Sequence, residues 1–432
     1  MTLKKTFALL LMFAAALNLA AADIYVSISS GKNKNAGTKD APLKNLWKAI
    51  EKAAAGDTIH VAEGNYSGKM SCGWIEVNKP VTILGGYAAD FSKRDFLTHH
   101  TTMRPSNKQN ATKPVFGTMT IKTRSAGAQS QVKVDGFIFD HTDANSYHPA
   151  NGKPEGFAQG MYLIPPTKGN TQFPSIDRYQ LHADTDGELT ISNCLFLNSS
   201  NYAVNVNHFS GKVNIINNCF IGSRMMACEV RSTNAKPLLT EFNFTNNTVL
   251  FTWTRTKEFE DMGYGVRSNE GIISNINSNI LGLNCMAGYD NTKGNSAKKQ
   301  ISLDNNIFFL NKKADVATTV SPNILFMKVE DDGFEDLADT DGMESMEDNQ
   351  SLSDPAIFKD IIDTNYLQAF LSATYTETVN YDENSPVNQF RAALGLNKQG
   401  TINSKVSMFC NPYPFESAIK FFGAVNDFGA QK

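Results

Sequence analysis

The sequence predicts an all-β fold, a parallel β-helix whose short strands stack as successive turns of one solenoid, with a helix capping its N-terminal end. The first observation is a series of short apolar segments that recur along the middle of the chain. The second is that residues 193–311 hold 22 Asn among 119 residues, because Asn is poor in helix interiors and common in turns. The third is one amphipathic helical pattern near the start of the chain.

The repeat is visible when the segments are aligned on the residue before each apolar triplet. From Asn193 onwards these residues are 25, 29, 32 and 27 positions apart, and a period of about 20–50 residues indicates a solenoid. Asn suits such turns, since amides in neighbouring coils can hydrogen-bond to each other and Asn tolerates a left-handed backbone. The alignment also places Cys194 and Cys219 at equivalent positions. The aligned residues are Gly136, Asn193, Asn218, Asn247, Asn279 and Asn306.

The first residues predict a signal peptide over residues 1–22. Lys4 and Lys5 form a basic start, residues 7–17 are mostly apolar, and Ala20 and Ala22 fit a cleavage site of small residues. The run is too short to span a bilayer, and no other stretch approaches ~18 consecutive apolar residues. We therefore expect cleavage near Ala22, no transmembrane segment, and a protein that is secreted, periplasmic or on the cell surface.

Three regions are expected after the signal peptide. Residues 23–115 should contain the N-terminal cap and first coils, with the capping helix over residues 43–55 and Asp40 as its cap. Residues 116–328 should form the central turns. Residues 329–432 should form an acidic loop and a region that covers the other end of the stack, since residues 330–354 contain eleven Asp or Glu and no Lys or Arg.

The overall charge argues against nucleic acid as a partner. The formal net charge is −3 and the pI is near 6.2, whereas nucleic-acid-binding domains carry basic surfaces. Residues 97–133 are locally basic, with six Lys or Arg and no acidic residue. This stretch predicts either a face that attracts a polyanion such as a uronic-acid polysaccharide, or a solvated edge of the early coils.

A cluster of charged residues in the central turns is the candidate site. Strand alternation around Val230 places Glu229 and Arg231 on one face, outward if Val230 points inward. Arg267 follows Arg231 by 36 residues, about one enlarged turn. Neighbouring coils could therefore present Glu229, Arg231 and Arg267 in a shared groove. The alternative is that they form surface ion pairs over neighbouring turns.

Four other residues are candidates for substrate binding. His208 and Arg224 are expected to lie one turn earlier than the arginine pair. Trp253 and Tyr289 could stack on sugar rings, although packing in the core or on the surface explains both equally well.

The two ends of the chain resemble a known family. Residues 37–66 and 81–87 are similar to the opening of many secreted bacterial β-helix proteins of the pectate-lyase-like superfamily, which are common in Bacteroidetes. Residues 354–388 and 411–424 look similar to the C-terminal parts of those proteins. The resemblance implies a right-handed parallel β-helix of the pectin-lyase type, a fold shared by enzymes and non-enzymes.

For activity, the central turns resemble the lyase family that contains chondroitinase B and alginate lyases. That resemblance implies an acidic Ca²⁺-binding strand leading into a basic residue, with an Arg about one turn later. Glu229 would match the Ca²⁺-binding position, and Arg231 and Arg267 would match the catalytic basic residues. The chain departs from the pattern: Arg231 replaces a Lys, Ser268 stands where His is expected, and the second Ca²⁺ carboxylate is missing.

These patterns predict a carbohydrate-active protein outside the cytoplasm. Its partner would be an acidic polysaccharide or a cell-surface glycan. A lyase would cleave it by β-elimination, which needs the uronate carboxylate neutralised and a base beside the α-proton. The alternative is a non-catalytic surface or adhesion protein that binds glycan or protein. The lyase hypothesis requires Arg231, Arg267 and a carboxylate to converge in one cleft.

Overall fold

The protein is an all-β parallel β-helix, as predicted. The computed structural model describes residues 21–69, 75–104, 117–141, 179–199, 201–253, 263–320, 322–352, 357–372, 383–384, 386–396 and 413–432. The residues of the predicted signal peptide up to position 20 lie outside this part of the chain. In the described part, each turn of the solenoid contributes a strand to each of three faces.

The first and third faces contain the longer strands, and the second face is built from strands of two to four residues. The first face contains β1 (Asp23–Val26), β2 (Thr58–Ala62), β5 (Thr82–Tyr87), β8 (Gln131–Asp135), the second halves of β10 (Tyr179–Ser192) and β12 (Tyr202–Ile216), β15 (Thr240–Thr245), β18 (Ile272–Asn277), β21 (Gln300–Asp304) and β25 (Met343–Ser345). The second face contains β3 (Gly64–Tyr66), β6 (Thr101–Met103), β9 (Phe137–Asp140), β11 (Leu195–Leu197), β13 (Cys219–Ile221), β16 (Thr248–Leu250), β19 (Ile280–Gly282), β22 (Ile307–Phe309) and β26 (Gln350–Ser351). The third face contains β4 (Ile75–Val77), β7 (Gly117–Lys122), the first halves of β10 and β12, β14 (Met226–Ser232), β17 (Tyr264–Ser268), β20 (Ala287–Asp290), β23 (Ala314–Val320) and β24 (Asn323–Met327).

Parallel pairing holds the turns together, and β24 alone among these described strands runs antiparallel to its neighbour, β23. Strands β10 and β12 pass from the third face to the first without a break, so β10 pairs with β7 and β8 of the preceding turn, and β12 pairs with β14 and β15 of the next one. Gly187 and Gly211 mark this corner, with φ of 81° and 107°. A Cβ on Gly211 would lie 2.3 Å from the carbonyl oxygen of Gly187, so the corner requires glycine in both turns.

The interior is filled by side chains that repeat at the same position in successive turns. Phe139, Phe196 and Phe220 stack face to face, with ring centroids 4.9 Å apart at each step. That spacing matches the distance between neighbouring strands, about 4.8 Å. The core is therefore continuous along the solenoid axis rather than divided between domains.

The predicted Asn ladder exists, with one correction at its start. The side chains of Asn218, Asn247, Asn279, Asn306 and Asn349 are linked by four amide hydrogen bonds of 2.9–3.2 Å between successive turns. The left-handed backbone belongs to the preceding residue instead, as at Asn217 with φ of 59°. The residue at the turn position thus changes the direction of the chain, and the ladder Asn that follows it forms hydrogen bonds with buried backbone groups.

Asn193 belongs to the turn position and not to the ladder. Its φ is 54°, and its side-chain oxygen accepts a 2.7 Å hydrogen bond from Asn217. Cys194 therefore stands at the ladder position, where its backbone N–H donates to Asn218. Cys219 pairs with Leu195, so the expected equivalence of Cys194 and Cys219 is wrong. Cys194 faces the interior, whereas Cys219 packs on the outer side of the second face.

The capping helix is present but shorter than predicted. Helix α1 spans Leu46–Lys52 with Asn45 as its N-cap, and Leu46, Ala49 and Ile50 are buried. These side chains join the end of the central core, so the helix covers the apolar residues at the open end of the stack. Leu43 lies before the helix and bridges to Val26, so Asp40 is not the cap.

The C-terminal region packs on a side of the solenoid, which corrects its predicted place at the end. Helices α2 (Thr364–Ser372), α3 (Pro386–Ala393) and α4 (Phe415–Ala418) lie here, and their apolar side chains join the outer side of the second face. The predicted acidic loop closes the end of the stack. Its Phe334 and Leu337 enter the central core, and β25 and β26 add a last partial turn.

Candidate functional site

A polar column crosses the outer side of the third face. His182, Asn205, Glu229, Arg267 and Asp290 are successive register partners on β10, β12, β14, β17 and β20. Each is preceded by a residue whose side chain belongs to the central core, such as Cys228 before Glu229. Strand alternation therefore places all five polar side chains outward, as predicted for Glu229 and Arg267.

Glu229 is the centre of this column. Its Oε2 accepts hydrogen bonds from Nδ2 of Asn205 at 2.9 Å and from Nη2 and Nε of Arg231 at 2.7 and 3.0 Å. Its Oε1 accepts from Nδ2 of Asn269 at 3.2 Å and lies 3.8 Å from Nη1 of Arg267. Both predicted arginines therefore reach the same carboxylate.

Arg267 belongs to the buried part of the column. Its guanidinium donates through Nε to Asp290 and lies over the ring of Tyr264, 5.0 Å from the centroid. Burial acts to lower the pKa of Arg267, but the charges of Asp290 and Glu229 outweigh burial and raise it. Only 2% of the Arg267 side chain is exposed, so it holds Glu229 and Asp290 in place.

Arg231 is the solvent-facing cation of the site. Its side chain is 44% exposed, while that of its partner Glu229 is 4% exposed. Burial lowers the pKa of Arg231, but the charge and hydrogen bond of Glu229, together with Tyr179 and Tyr202, outweigh burial and raise it. Two of the five N–H groups are bonded to Glu229, so the guanidinium is fixed in orientation with its outer side toward solvent.

His182 is the first residue of the column, and two tyrosines adjoin it; the sequence analysis assigned no role to His182 or Tyr179. Tyr179 stacks on His182 with centroids 5.3 Å apart, and Tyr202 tilts against Tyr179 at 5.5 Å. Nδ1 of His182 lies 3.0 Å from Oδ1 of Asn205. Burial lowers the pKa of His182 despite that hydrogen bond. The spacing could have revealed them, because His182 precedes Asn205 by 23 residues and Asn205 precedes Glu229 by 24, about one turn in each case.

The four other predicted substrate-binding residues do not line this site. Tyr289 is the register partner of Val266 and points into the core. Trp253 is packed under the C-terminal region and donates from Nε1 to the Tyr366 hydroxyl at 2.9 Å. A sugar needs an exposed ring face, so the stacking predicted for both aromatic residues is wrong in this structure.

The two remaining candidates are also buried. Both ring nitrogens of His208 are engaged, with Oγ1 of Thr240 at 2.9 Å and the carbonyl oxygen of Gly187 at 3.1 Å. Arg224 is 2% exposed. Neither presents polar atoms to solvent, so their predicted contact with substrate is corrected to a structural role at the corners of the turns.

In its described part, the locally basic stretch of residues 97–133 does not form a surface of unpaired positive charge. Lys108 and Lys113 lie outside the described residues. The other four cations each pair with a carboxylate at 2.6–3.4 Å: Arg104 with Asp140, Lys122 with Glu76, Arg124 with Asp184 and Lys133 with Asp135.

The residues around Glu229 do not fit a calcium site. Ca²⁺ takes about six to eight oxygen ligands, whereas Glu229 is surrounded by the guanidinium groups of Arg231 and Arg267 and by two amide N–H donors. In the described part of the chain, three or more His, Cys, Asp or Glu side chains do not come together as a metal site. The residue predicted to bind Ca²⁺ instead binds Arg231.

The C-terminal helices cover the outer side of the second face, whereas the polar column lies on the third face. Within the described residues, no helix has the length and hydrophobicity required to cross a membrane.

Comparison with known proteins agrees with this fold. A family model described as a protein of unknown function, DUF1565, matches residues 29–148, and that family is a right-handed β-helix family. Pectate lyase PEL9 of Emericella nidulans is 42% identical over 67 residues, which is 16% of this chain and only 15% of the relative. The predicted pectate-lyase-like, right-handed β-helix is confirmed. The narrower resemblance to the chondroitinase B family stays a prediction.

Three solved structures are similar to the chain at low identity. The complex of XylC with xylose has a TM-score of 0.43 at 12% identity, over 68% of this chain and 63% of that one. A rhamnogalacturonan lyase has a TM-score of 0.30 at 14% identity, over 68% and 70%. The GH136 lacto-N-biosidase from Eubacterium ramulus has a TM-score of 0.31 at 10% identity, over 80% and 70%.

Proposed function

We propose that this pectate-lyase-like β-helix protein is exported and binds an acidic polysaccharide along its third face. The observation that carries the proposal is the fixed, solvent-facing guanidinium of Arg231, whose side chain is 44% exposed beside a buried Glu229. A guanidinium held in this way can receive a uronate carboxylate through two parallel N–H donors. The local likeness to a pectate lyase supports a carbohydrate ligand.

Arg267 would act here as a positioning residue. It is buried against Asp290 and Glu229, so it holds Glu229 in the place from which Glu229 orients Arg231. The substrate-facing roles proposed for the two arginines are thus unequal: Arg231 binds the carboxylate, and Arg267 supports it.

A matched pair of charge-removing variants tests the proposal. Arg231→Met should weaken binding to polygalacturonate or alginate by about tenfold or more, since a hydrogen bond to a charged group contributes about 1.5–3 kcal/mol. Lys212→Met is the control, because Lys212 carries the same charge on the first face, paired with Glu241 at 3.3 Å. Binding would be measured by isothermal titration calorimetry, with a neutral dextran as the control polymer.

The result also separates the two hypotheses raised by the sequence. Equal weakening by both variants would indicate general charge attraction and overturn a site at Arg231. Absence of binding to every acidic polymer would overturn the proposed function and leave the surface or adhesion role, with a protein or neutral glycan as partner.

Export is tested separately. The signal peptide predicted over residues 1–22 requires that protein recovered from outside the cytoplasm begins close to residue 23. Mass spectrometry of the intact protein reads this directly, and recovery of the uncleaved chain in the cytoplasm would contradict it.

A further inference from the structure

Asp57 is a nearly buried carboxylate in the turn between α1 and β2. Its exposed fraction is 6%, and both of its carboxylate oxygens accept hydrogen bonds from backbone N–H groups. Oδ1 accepts from Ala22 at 2.8 Å, and Oδ2 accepts from Ala54 at 2.7 Å. The backbone carbonyl oxygen of Asp57 accepts from the N–H of Thr82 at 3.0 Å. Asp57 therefore ties the segment before β1 to the turn after the capping helix and to β5.

The carboxylate of Asp57 has no cationic partner within the described part of the chain. The described Lys, Arg and His side chains form their ion pairs with other carboxylates. Removing a charge from water is costly unless an opposite charge or several hydrogen bonds compensate it. Ala22 is the place from which a positive charge would act most directly, because its nitrogen already points at Oδ1.

The hydrogen bonds of the first strand define where a free chain end would meet Asp57. Strand β1 pairs with β2 in parallel from Asp23 onwards, and the N–H of Thr58 donates to the carbonyl oxygen of Ala22 at 2.9 Å. The N–H and the carbonyl of Ala22 thus both point toward β2, whereas the N–H of Asp23 points to the opposite side of the strand. A chain that begins at Ala22 keeps both bonds, and a chain that begins at Asp23 loses both. The favoured bond for cleavage is therefore one residue before the bond that the small residues Ala20 and Ala22 indicate.

We infer that the peptide bond between Ala21 and Ala22 is the processing site of the exported protein, and that Asp57 binds the α-ammonium group which processing creates. This inference rests on the export part of the proposed function. A peptidase of the export machinery would hydrolyse the bond before the chain folds. Water adds its hydroxyl group to the carbonyl carbon of Ala21, the C–N bond breaks, and the other proton of the water goes to the departing nitrogen of Ala22. The new carboxylic acid then releases a proton, and the new amine takes one up.

Processing converts the hydrogen bond between Ala22 and Asp57 into an ion pair. An α-amino group has an ordinary pKa of about 7.7–8.0, so most of it is protonated at pH 7. A charged donor forms a stronger hydrogen bond to a carboxylate than an amide N–H does. Ala21 and Ala22 are both exposed, so the new chain end can reach its place from solvent. The processed chain would thus gain stability at the open end of the solenoid that the precursor lacks.

Chains with defined starts test the binding of the α-ammonium without export. Ubiquitin fusions, whose hydrolase leaves no extra residue, would give chains that begin at Ala20 or at Ala22. In the first chain the α-ammonium lies about 7 Å further along an extended backbone, so Asp57 keeps the Ala22 amide but not an adjacent charge. We expect the unfolding equilibrium constant at pH 7, measured by urea denaturation, to be about fivefold lower for the Ala22 start. In Asp57→Asn, whose Oδ1 can still accept from Ala22, the two starts should agree within about twofold.

A second measurement needs no change of side chain. The α-amine of the Ala22 start should react with acetic anhydride about fivefold or more slowly than that of the Ala20 start. The reason is that only the Ala22 nitrogen is held at Asp57, in a residue whose carbonyl oxygen is also bonded to Thr58. Peptide mass spectrometry reads the acetylated fraction. Equal reaction rates would overturn the binding of the α-ammonium at Asp57.

The first residue of the exported protein decides the processing site. The intact mass of protein recovered outside the cytoplasm should correspond to a chain that begins at Ala22, and a start at Ala21 or Asp23 would overturn the site while leaving export standing. Equal stability of the Ala20 and Ala22 starts, or an advantage of the Ala22 start that persists in Asp57→Asn, would overturn the role of Asp57. Recovery of only the uncleaved chain, in the cytoplasm, would overturn export and the processing site together.

Discussion

Glu229 and Arg267 are register partners on neighbouring strands, with Oε1 and Nη1 3.8 Å apart inside a buried charge network. Replacing Arg267 by Met would leave Glu229 and Asp290 buried with less compensation. We expect the free energy of unfolding to fall by about 3–5 kcal/mol, measured by urea denaturation. Arg231→Met should cost about 1 kcal/mol or less, because that cation is half exposed. Similar small losses in both variants would contradict the buried network.

The Asn ladder should contribute strongly to stability. Asn247→Ala would leave the backbone N–H of Asn218 and the carbonyl oxygen of Ile215 unpaired in the interior. We expect a loss of about 2 kcal/mol or more, read from the denaturation midpoint. The control is Asn243→Ala, whose amide bonds to Asn214 on the half-buried outer side of the first face. If both variants lose the same stability, burial of the ladder is not the cause.

Stability should fall in mild acid because of His208. Burial holds the pKa of His208 below its ordinary 6.5, while Asp186 raises it and Arg124 lowers it. The unfolded chain therefore binds more protons than the folded protein between the lowered pKa and 6.5. The contribution is complete above 6.5 and is lost as the pH falls through that window. Denaturation from about pH 7 to about pH 5 should show a smaller decrease in His208→Gln, and an equal decrease would contradict this origin.

The packing of the C-terminal segment, residues 413–421, against the solenoid should depend on Asn198. The side chain of Asn198 accepts from the backbone N–H of Tyr413 at 2.7 Å and donates to its carbonyl oxygen at 3.2 Å. Asn198→Ala should speed hydrogen exchange at the amides of residues 413–421, measured by mass spectrometry after peptic digestion. Asn246→Ala is the control, since Asn246 makes one 3.4 Å bond to Asp427. Unchanged exchange in Asn198→Ala would show that apolar packing alone holds the segment.

Calcium removal should leave polysaccharide binding intact. Arg231 and Asn205 occupy Oε2 of Glu229, so we expect equal affinity for polygalacturonate with EDTA and with added Ca²⁺ after correction for calcium bound by the polymer. A loss in EDTA that Ca²⁺ restores would contradict this expectation and return Glu229 to the predicted metal role.

Periodicity predicted the fold because every turn repeats the same chemistry. In each of these turns an Asn at the ladder position comes directly before an apolar strand, as at Asn218, Asn247, Asn279 and Asn306. This pattern can be recognised in a single sequence. The one-residue error at Asn193 arose because the turn and ladder positions are adjacent and Asn suits both. The place of the C-terminal region could not be predicted, since outward apolar residues such as Leu197 and Ile221 look like core residues in a short strand.

Strand alternation likewise predicted that the side chains of Glu229, Arg231 and Arg267 point outward. It could not predict which of the three is exposed to solvent. The burial of Arg267 depends on Asp290, its register partner one turn later, and that register is set by loops of unequal length. His182 was missed because the long stretch of sequence between Gly136 and β10 interrupts the regular spacing of the repeats. Tyr289 was misjudged since its inward direction follows only from pairing with Val266.

The last residues of the chain cross several turns of the solenoid at once. Backbone N–H groups of Gln431, Ala430 and Gly429 bond to Asn217, Thr248 and Ser278, which lie in three successive turns. Because the C-terminal region follows the solenoid in the sequence, the apolar outer side of the second face is uncovered until residues 357–432 have been synthesised. A chain truncated before residue 357 would therefore expose the apolar outer side of the second face, which should lower its solubility.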